Sequence, residues 1–274
     1  MVRSSDSGLP DTSGGNDFDM NHDYVKGRLI AHAGGAMGPA RYTNSWEAFE
    51  NSCRHVSLVE FDICRAANGL IVAHDGLEKN YGLEGKFSDH TVETFSRTLY
   101  NKKFHPMTAR DLISKLPEKT VNVILDIKSD GDEDYAAILK EIDAYCDEFG
   151  VRDKVIIQVY SSQDFAATRR LGMNNFILAL WKNFHRVRSD KCRRCVDVCF
   201  SGEATGFRAI SIRHIHFWQD GAEIGHDLVD YFSKRSPMMF MHGQAPEVET
   251  ATLDRGFGLF THHPETLLPY LQRS

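Results

Sequence analysis

Two acidic residues stand two apart in LVEFDI, Glu60 and Asp62. A third, Asp126, closes a later apolar run, NVILDIK, two residues before Lys128. In an extended chain residues i and i+2 point to the same side. Glu60 and Asp62 therefore share a face, as do Asp126 and Lys128. Three convergent carboxylates repel one another unless a cation lies among them. Their hard oxygen donors suit a divalent cation, Mg2+ or Ca2+. His32 and His74 each finish an apolar run of their own, and imidazole is suited to acid and base work near neutral pH. Lys128 and Arg213 supply positive charge for an anion such as phosphate.

Each signal has a blander explanation. Glu60 and Asp62 fit a solvated strand end or a salt bridge, and His74-Asp75 fits a turn. A lone His32 is more often a packed histidine, and Trp181 suits simple packing as well as a pocket wall. His214, His216 and His263 keep the ordinary reading. Cys192, Cys195 and Cys199 in KCRRCVDVCF fall at i, i+3 and i+7. That spacing describes one face of a helix, and without a fourth ligand nearby buried thiols are favoured over a metal site.

Order argues against coincidence. The apolar runs alternate with helix-like segments from about residue 28 onward, and polar residues end nearly every run: His32, then Glu60 and Asp62, then Asp126 and Lys128, Gln158 and Tyr160, Trp181 and Lys182, Arg213, His242, and Thr261-His262. LIVAHDG reads as a hairpin-like extension ending at His74. Asn44 is expected to cap the helix of NSWEAFENSCRH, with Glu47 at capping-box spacing. DEDYAAILKEIDAYCDEF is expected to bury Tyr135, Ile138, Leu139, Ile142 and Cys146. Alternation of this kind predicts parallel strands with crossover helices. HAGGAMG lacks the spacing of a dinucleotide-binding turn, so the expected fold is an α/β class (β/α)8 TIM barrel, which gathers its functional residues at the C-terminal strand ends. Residues 1–25 read as a flexible polar lead and 26–274 as one barrel domain.

The net charge of -6 argues against a nucleic-acid partner, which would require a basic surplus. No run of about 18 apolar residues predicts a membrane span. The opening residues lack the apolar stretch of a secretory signal. With six cysteines in 274 residues, reduced thiols and a cytoplasmic location are expected; a signal trimmed from upstream would instead place the protein outside the cell.

The ordered motifs HAG (32–34), TNS (43–45), EFD (60–62), HD (74–75), DIK (126–128) and THHP (261–264) resemble those of the glycerophosphodiester phosphodiesterase family, within the phosphatidylinositol-phospholipase-C-like barrels. The resemblance spans roughly residues 28–270 and is carried by the set, each motif alone being weak. It implies a metal held by Glu60, Asp62 and Asp126, His32 and His74 as the acid/base pair, and Lys128 as a phosphate contact. Arg213, Trp181 and His242 are further expected substrate contacts. The sequence departs from the family at Ala33 (usually arginine), Thr43 and Asp126 (glutamate) and His262 (aspartate).

The expected function is metal-dependent cleavage of a small organic phosphodiester resembling a glycerophosphodiester, with a cyclic phosphate as one route. A sugar- or inositol-linked diester is the nearby alternative. A binding barrel that has lost catalysis is a second reading, and a zinc hydrolase with His32 and His74 as ligands is a third.

Overall fold

The structure, a computed structural model, describes residues 28–183, 189–202, 206–213, 226–236, 238–242, 246–254 and 256–272. The polar lead assigned to residues 1–25, and His214 and His216, lie outside the described residues.

Eight parallel strands close into a barrel. In chain order they are β1 (Leu29–Ala31), β2 (Leu58–Ala66), β5 (Asn122–Ile127), β6 (Val155–Val159), β7 (Phe176–Ala179), β8 (Arg208–Arg213), β9 (Met239–His242) and β10 (Gly258–Thr261). Each pairs in parallel with the next, and β1 pairs with both β10 and β2 to complete the ring. Beyond its pairing with β1, the far half of β2 takes an antiparallel partner, β3 (Gly69–Val72), which in turn pairs with β4 (Met107–Thr108). The hairpin-like extension is thus an outlying flange, to which the sequence reading had not added β4.

The strands are buried on both sides, which explains why they read as nearly continuous apolar runs. Inside, Ile30, Leu58, Ile124, Ile156, Ile177, Ala209, Phe240 and Phe260 belong to one cluster that fills the barrel floor. Outward residues such as Val59, Phe61, Ile63, Val123 and Leu125 pack in the larger core with residues of the helices. Burying a large apolar side chain stabilises by about 1.5–3 kcal/mol. Period two then dictates the next inner tier. Two residues beyond the floor stand His32, Glu60, Asp126, Gln158, Ser211, His242 and His262, and above these Asp62, Lys128, Tyr160, Trp181 and Arg213 come from the strand ends or just after them. The polar mouth is the same inner face continued upward.

The helix Asp132–Phe149 buries Tyr135, Ile138, Leu139, Ile142 and Cys146, as its periodicity requires. The helix Asp190–Cys199 buries Cys192, Cys195 and Cys199, and all six cysteines are free thiols. One expectation fails at the helix Trp46–Ser52. Its N-cap is Ser45, whose Oγ accepts from Ala48 N at 3.3 Å. Asn44 is drawn elsewhere, and Glu47 bonds His105.

Candidate active site

β2 and β5 run in register, so that Asp62 lies beside Asp126. Like charges directly opposed on a sheet destabilise it unless something compensates. Glu60, one step below Asp62, completes a group whose carboxylate oxygens lie within 4.8 Å of one another. Their relative exposures of 1%, 1% and 3% leave almost no water to share the charge. Lys128 supplies part of the compensation, with Nζ 2.8 Å from Asp62 Oδ1 and 2.5 Å from Asp126 Oδ2. Burial works against the ammonium, but Asp126 and Asp62 outweigh it and raise the Lys128 pKa. One ammonium against three acids still leaves a negative surplus. It is expressed on Glu60, whose pKa burial, Asp62 and Asp126 push well above the ordinary carboxylate range.

A divalent cation fits this place. The donors are all carboxylate oxygens, Asp62 Oδ1 has no hydrogen-bond donor in good geometry, and the surplus charge is of the size such an ion removes. Among the described residues this is the one group of three or more His, Cys, Asp or Glu side chains close enough to hold an ion. The histidine-ligated zinc site of the third reading has no counterpart there.

Each carboxylate is held from outside. Ala33 N donates to Glu60 Oε2 at 2.7 Å. Asn44 Nδ2 donates to Asp62 Oδ2 at 2.8 Å, and Asp62 N donates back to Asn44 Oδ1 at 3.2 Å. Tyr160 OH donates to Asp126 Oδ1 at 2.6 Å, and Gln158 Nε2 donates to the same phenol at 2.8 Å. The turn after β1 must pass close beneath the next helix to present the Ala33 amide. Gly34 (φ +80) and Gly35 (φ +92) make this feasible: a Cβ would meet the Phe61 ring at 2.9 Å or Ser52 Oγ at 2.5 Å. Ala33 itself adopts φ +51, and Tyr42 and Asn44 adopt +56 and +46. Such backbone costs an L-residue about 1–3 kcal/mol and persists only where its surroundings over-determine it.

The imidazoles ring this centre. His32 Nε2 lies 3.9 Å from Glu60 Oε2, too far for a hydrogen bond. The His32 ring stacks on His262 at 4.7 Å and meets His242 edge-on at 5.2 Å. Burial, with His262 and Lys128 next in weight, drops the His32 pKa well below its usual value. Burial, His32 and Arg213 do the same to His242, and burial with Arg41 and His263 brings His262 to about 4. His74 Nδ1 donates to the Asp75 carbonyl at 2.8 Å, with Asp75 Oδ1 at 3.2 Å. That nitrogen faces only acceptors, so it keeps its proton and leaves Nε2 to give or take one.

The other wall holds Trp181, edge-on to His242 at 5.5 Å and to Tyr160 at 5.2 Å, with the Arg213 guanidinium 4.5 Å from the indole centroid. The nine singled-out residues Glu60, Asp62, Asp126, Lys128, His32, His74, Trp181, Arg213 and His242 are thus linked at one mouth, His74 through Tyr42. Tyr42 and His262 were not among them, and neither was Asn44 in its actual role as the partner of Asp62. Tyr42 meets His32 at 5.1 Å, His74 at 5.3 Å and His262 at 4.7 Å, each edge-on. The sequence signal for it is slight: one aromatic residue in an otherwise polar loop.

No protein-family model and no curated protein matches the sequence. Solved structures do. A glycerophosphodiester phosphodiesterase from Parabacteroides distasonis superposes with a TM-score of 0.70 at 15% identity, over 90% of this chain and 98% of that one. One from Thermotoga maritima gives 0.63 at 15% identity, over 89% and 98%. An Oleispira antarctica phosphodiesterase in complex with its product sn-glycerol-3-phosphate gives 0.69 at 12% identity, over 92% and 99%. At these identities the likeness establishes the shared barrel fold.

Proposed function

We propose that the chain is a divergent member of the glycerophosphodiester phosphodiesterase family and a phosphoric diester hydrolase acting on a small, lipid-derived organic phosphodiester. The observation that carries this reading is the buried Glu60–Asp62–Asp126 group with His32 beside Glu60 and His74 linked to His32 through the Tyr42 ring. The fold of phosphodiesterases at full-length coverage supports it.

In this reading Glu60, Asp62 and Asp126 hold Mg2+ or Ca2+. When bound, the ion supplies Lewis acidity to the phosphoryl oxygens. Lys128, already at the carboxylates, contacts the phosphate; Arg213, Trp181 and His242 line the substrate. His32, kept neutral by its burial, accepts a proton from the attacking hydroxyl. His74 gives its Nε2 proton to the departing alcohol while its Nδ1 stays bonded to Asp75. Water as the attacking group gives a phosphomonoester; a neighbouring hydroxyl of the substrate gives a cyclic phosphate.

One observation favours a second reading, a binding barrel without turnover: the Lys128 ammonium already bridges two of the three acids. 31P NMR of a panel of glycerophosphodiesters and inositol- or sugar-linked phosphodiesters, with Mg2+, Ca2+ or chelator, separates the two. Metal-dependent cleavage abolished in both His32→Ala and His74→Ala supports the enzyme. Full turnover in those variants overturns the assignment of roles, and binding with no cleavage of any diester supports the second reading.

A further inference from the structure

Three non-glycine residues near the carboxylates have left-handed backbone, and for two the reason is plain. Ala33 turns its amide onto Glu60, and Asn44 turns its side chain onto Asp62. Tyr42 has no such reason. Its hydroxyl makes no hydrogen bond with any described residue, whereas the hydroxyls of Tyr81 and Tyr100 are both tied.

The fold nevertheless forces its conformation. Tyr100 OH donates to Arg41 O at 3.0 Å and Tyr81 OH to Thr43 O at 3.2 Å, clamping the carbonyls on either side. Asn44 N donates to Ala33 O at 3.2 Å. Thr43, Asn44 and Ser45 are fully buried, while Tyr42 is half-buried. Its ring emerges between His32 and His74, and among the described residues it is the one ring in contact with both. A strained residue whose surroundings hold it rigidly, yet whose polar atom meets no group of the described residues, is placed to meet a ligand.

We propose that Tyr42 is a catalytic residue of the phosphodiester cleavage, its hydroxyl donating a hydrogen bond to a non-bridging phosphoryl oxygen lodged between the two imidazoles. The assignment rests on the phosphodiesterase reading above. Charge on these oxygens must be met by donors fixed in place beforehand. A phenol keeps its proton near neutral pH and can only give a hydrogen bond to an anionic oxygen there. The clamped backbone removes the freedom that would otherwise be lost on binding.

The test is Tyr42→Phe, which keeps the ring and its contacts with the three histidines. With bis(p-nitrophenyl) phosphate and Mg2+, kcat is expected to fall by about 100-fold, with an unchanged thermal midpoint. Inorganic phosphate, titrated by 31P NMR, is expected to bind at least about fivefold more weakly to the variant. Parent-like kcat together with parent-like phosphate affinity overturns the proposal while leaving the phosphodiesterase reading intact. Should the parent cleave no diester, the reading fails instead, and the phosphate titration alone decides Tyr42: weaker binding upholds its contact with the anion, equal binding removes it.

Discussion

Asn44 and Asp62 grip each other at both ends, side-chain amide to carboxylate at 2.8 Å and backbone amide to side-chain carbonyl at 3.2 Å. The pair ties the turn before the first helix to the mouth of β2, and does so where water barely reaches. Replacing Asn44 by Ala removes both bonds and leaves Asp62 short of a donor. A loss of about 2–4 kcal/mol in urea denaturation is expected. Asn44→Gly should lose less than Asn44→Ala, because glycine adopts φ +46 without strain. Equal losses in the two would show that the backbone there is not strained.

Lys128 and a bound cation should relieve the same repulsion. In chelator, Lys128→Met leaves Asp62 and Asp126 side by side without their ammonium, an uncompensated buried charge worth about 3–5 kcal/mol of stability. With saturating Mg2+ or Ca2+ the gap between parent and variant should narrow. An identical loss under both conditions would mean that ammonium and ion do not act on the same charges.

Metal should also stabilise the parent directly. An ion at 100 times its Kd contributes about 2.7 kcal/mol to the folded state. The thermal midpoint is therefore expected to rise on adding Mg2+ or Ca2+ and to stop responding in Glu60→Gln or Asp126→Asn. A midpoint in those variants that still climbs as the parent's does would place the ion elsewhere.

Acid should weaken the fold through His262. Burial, then Arg41 and His263, hold its pKa at about 4, against about 6.5 in an unfolded chain. Below pH 6.5 the unfolded chain takes up a proton that the folded ring refuses. The stability is therefore fully present above that pH, declines as pH falls, and stops declining near pH 4, where the folded ring also titrates. The whole effect is at most about 3 kcal/mol. His32 and His242 act in the same direction, and Glu60, raised by burial and its acidic neighbours, acts in the opposite one. Comparing parent with His262→Asn at pH 7 and pH 5 isolates the one ring, and the variant should lose less on acidification.

The barrel and much of its mouth were legible because both follow from period two. Once Leu58 and Ile124 face inward, Glu60 and Asp126 must as well. What period two cannot give is register between strands, so the apposition of Asp62 with Asp126 and the bridge made by Lys128 needed coordinates. Asn44 and Ser45 are both good caps, and the choice between them was made by Asp62, eighteen residues beyond Asn44. Tyr42 was invisible for another reason. Left-handed backbone at a non-glycine residue leaves no compositional mark, and RYTNS reads as an ordinary loop.

The flange of β3 and β4 rests on its own small core, in which Ile71, Ala73, Tyr81, Phe95 and Tyr100 pack together. That core bears His74 at its edge and also clamps the loop of Tyr42, while His32 and the acids belong to the closed ring of strands. The two halves of the candidate site therefore rest on two different apolar cores, joined through β2. The flange is tied to the barrel through the ladder of β3 with β2, so remodelling its outer part would shift His74 and Tyr42 together, and in the proposed reading alter which alcohol fits between them, while the ring of strands that carries the acids stays closed.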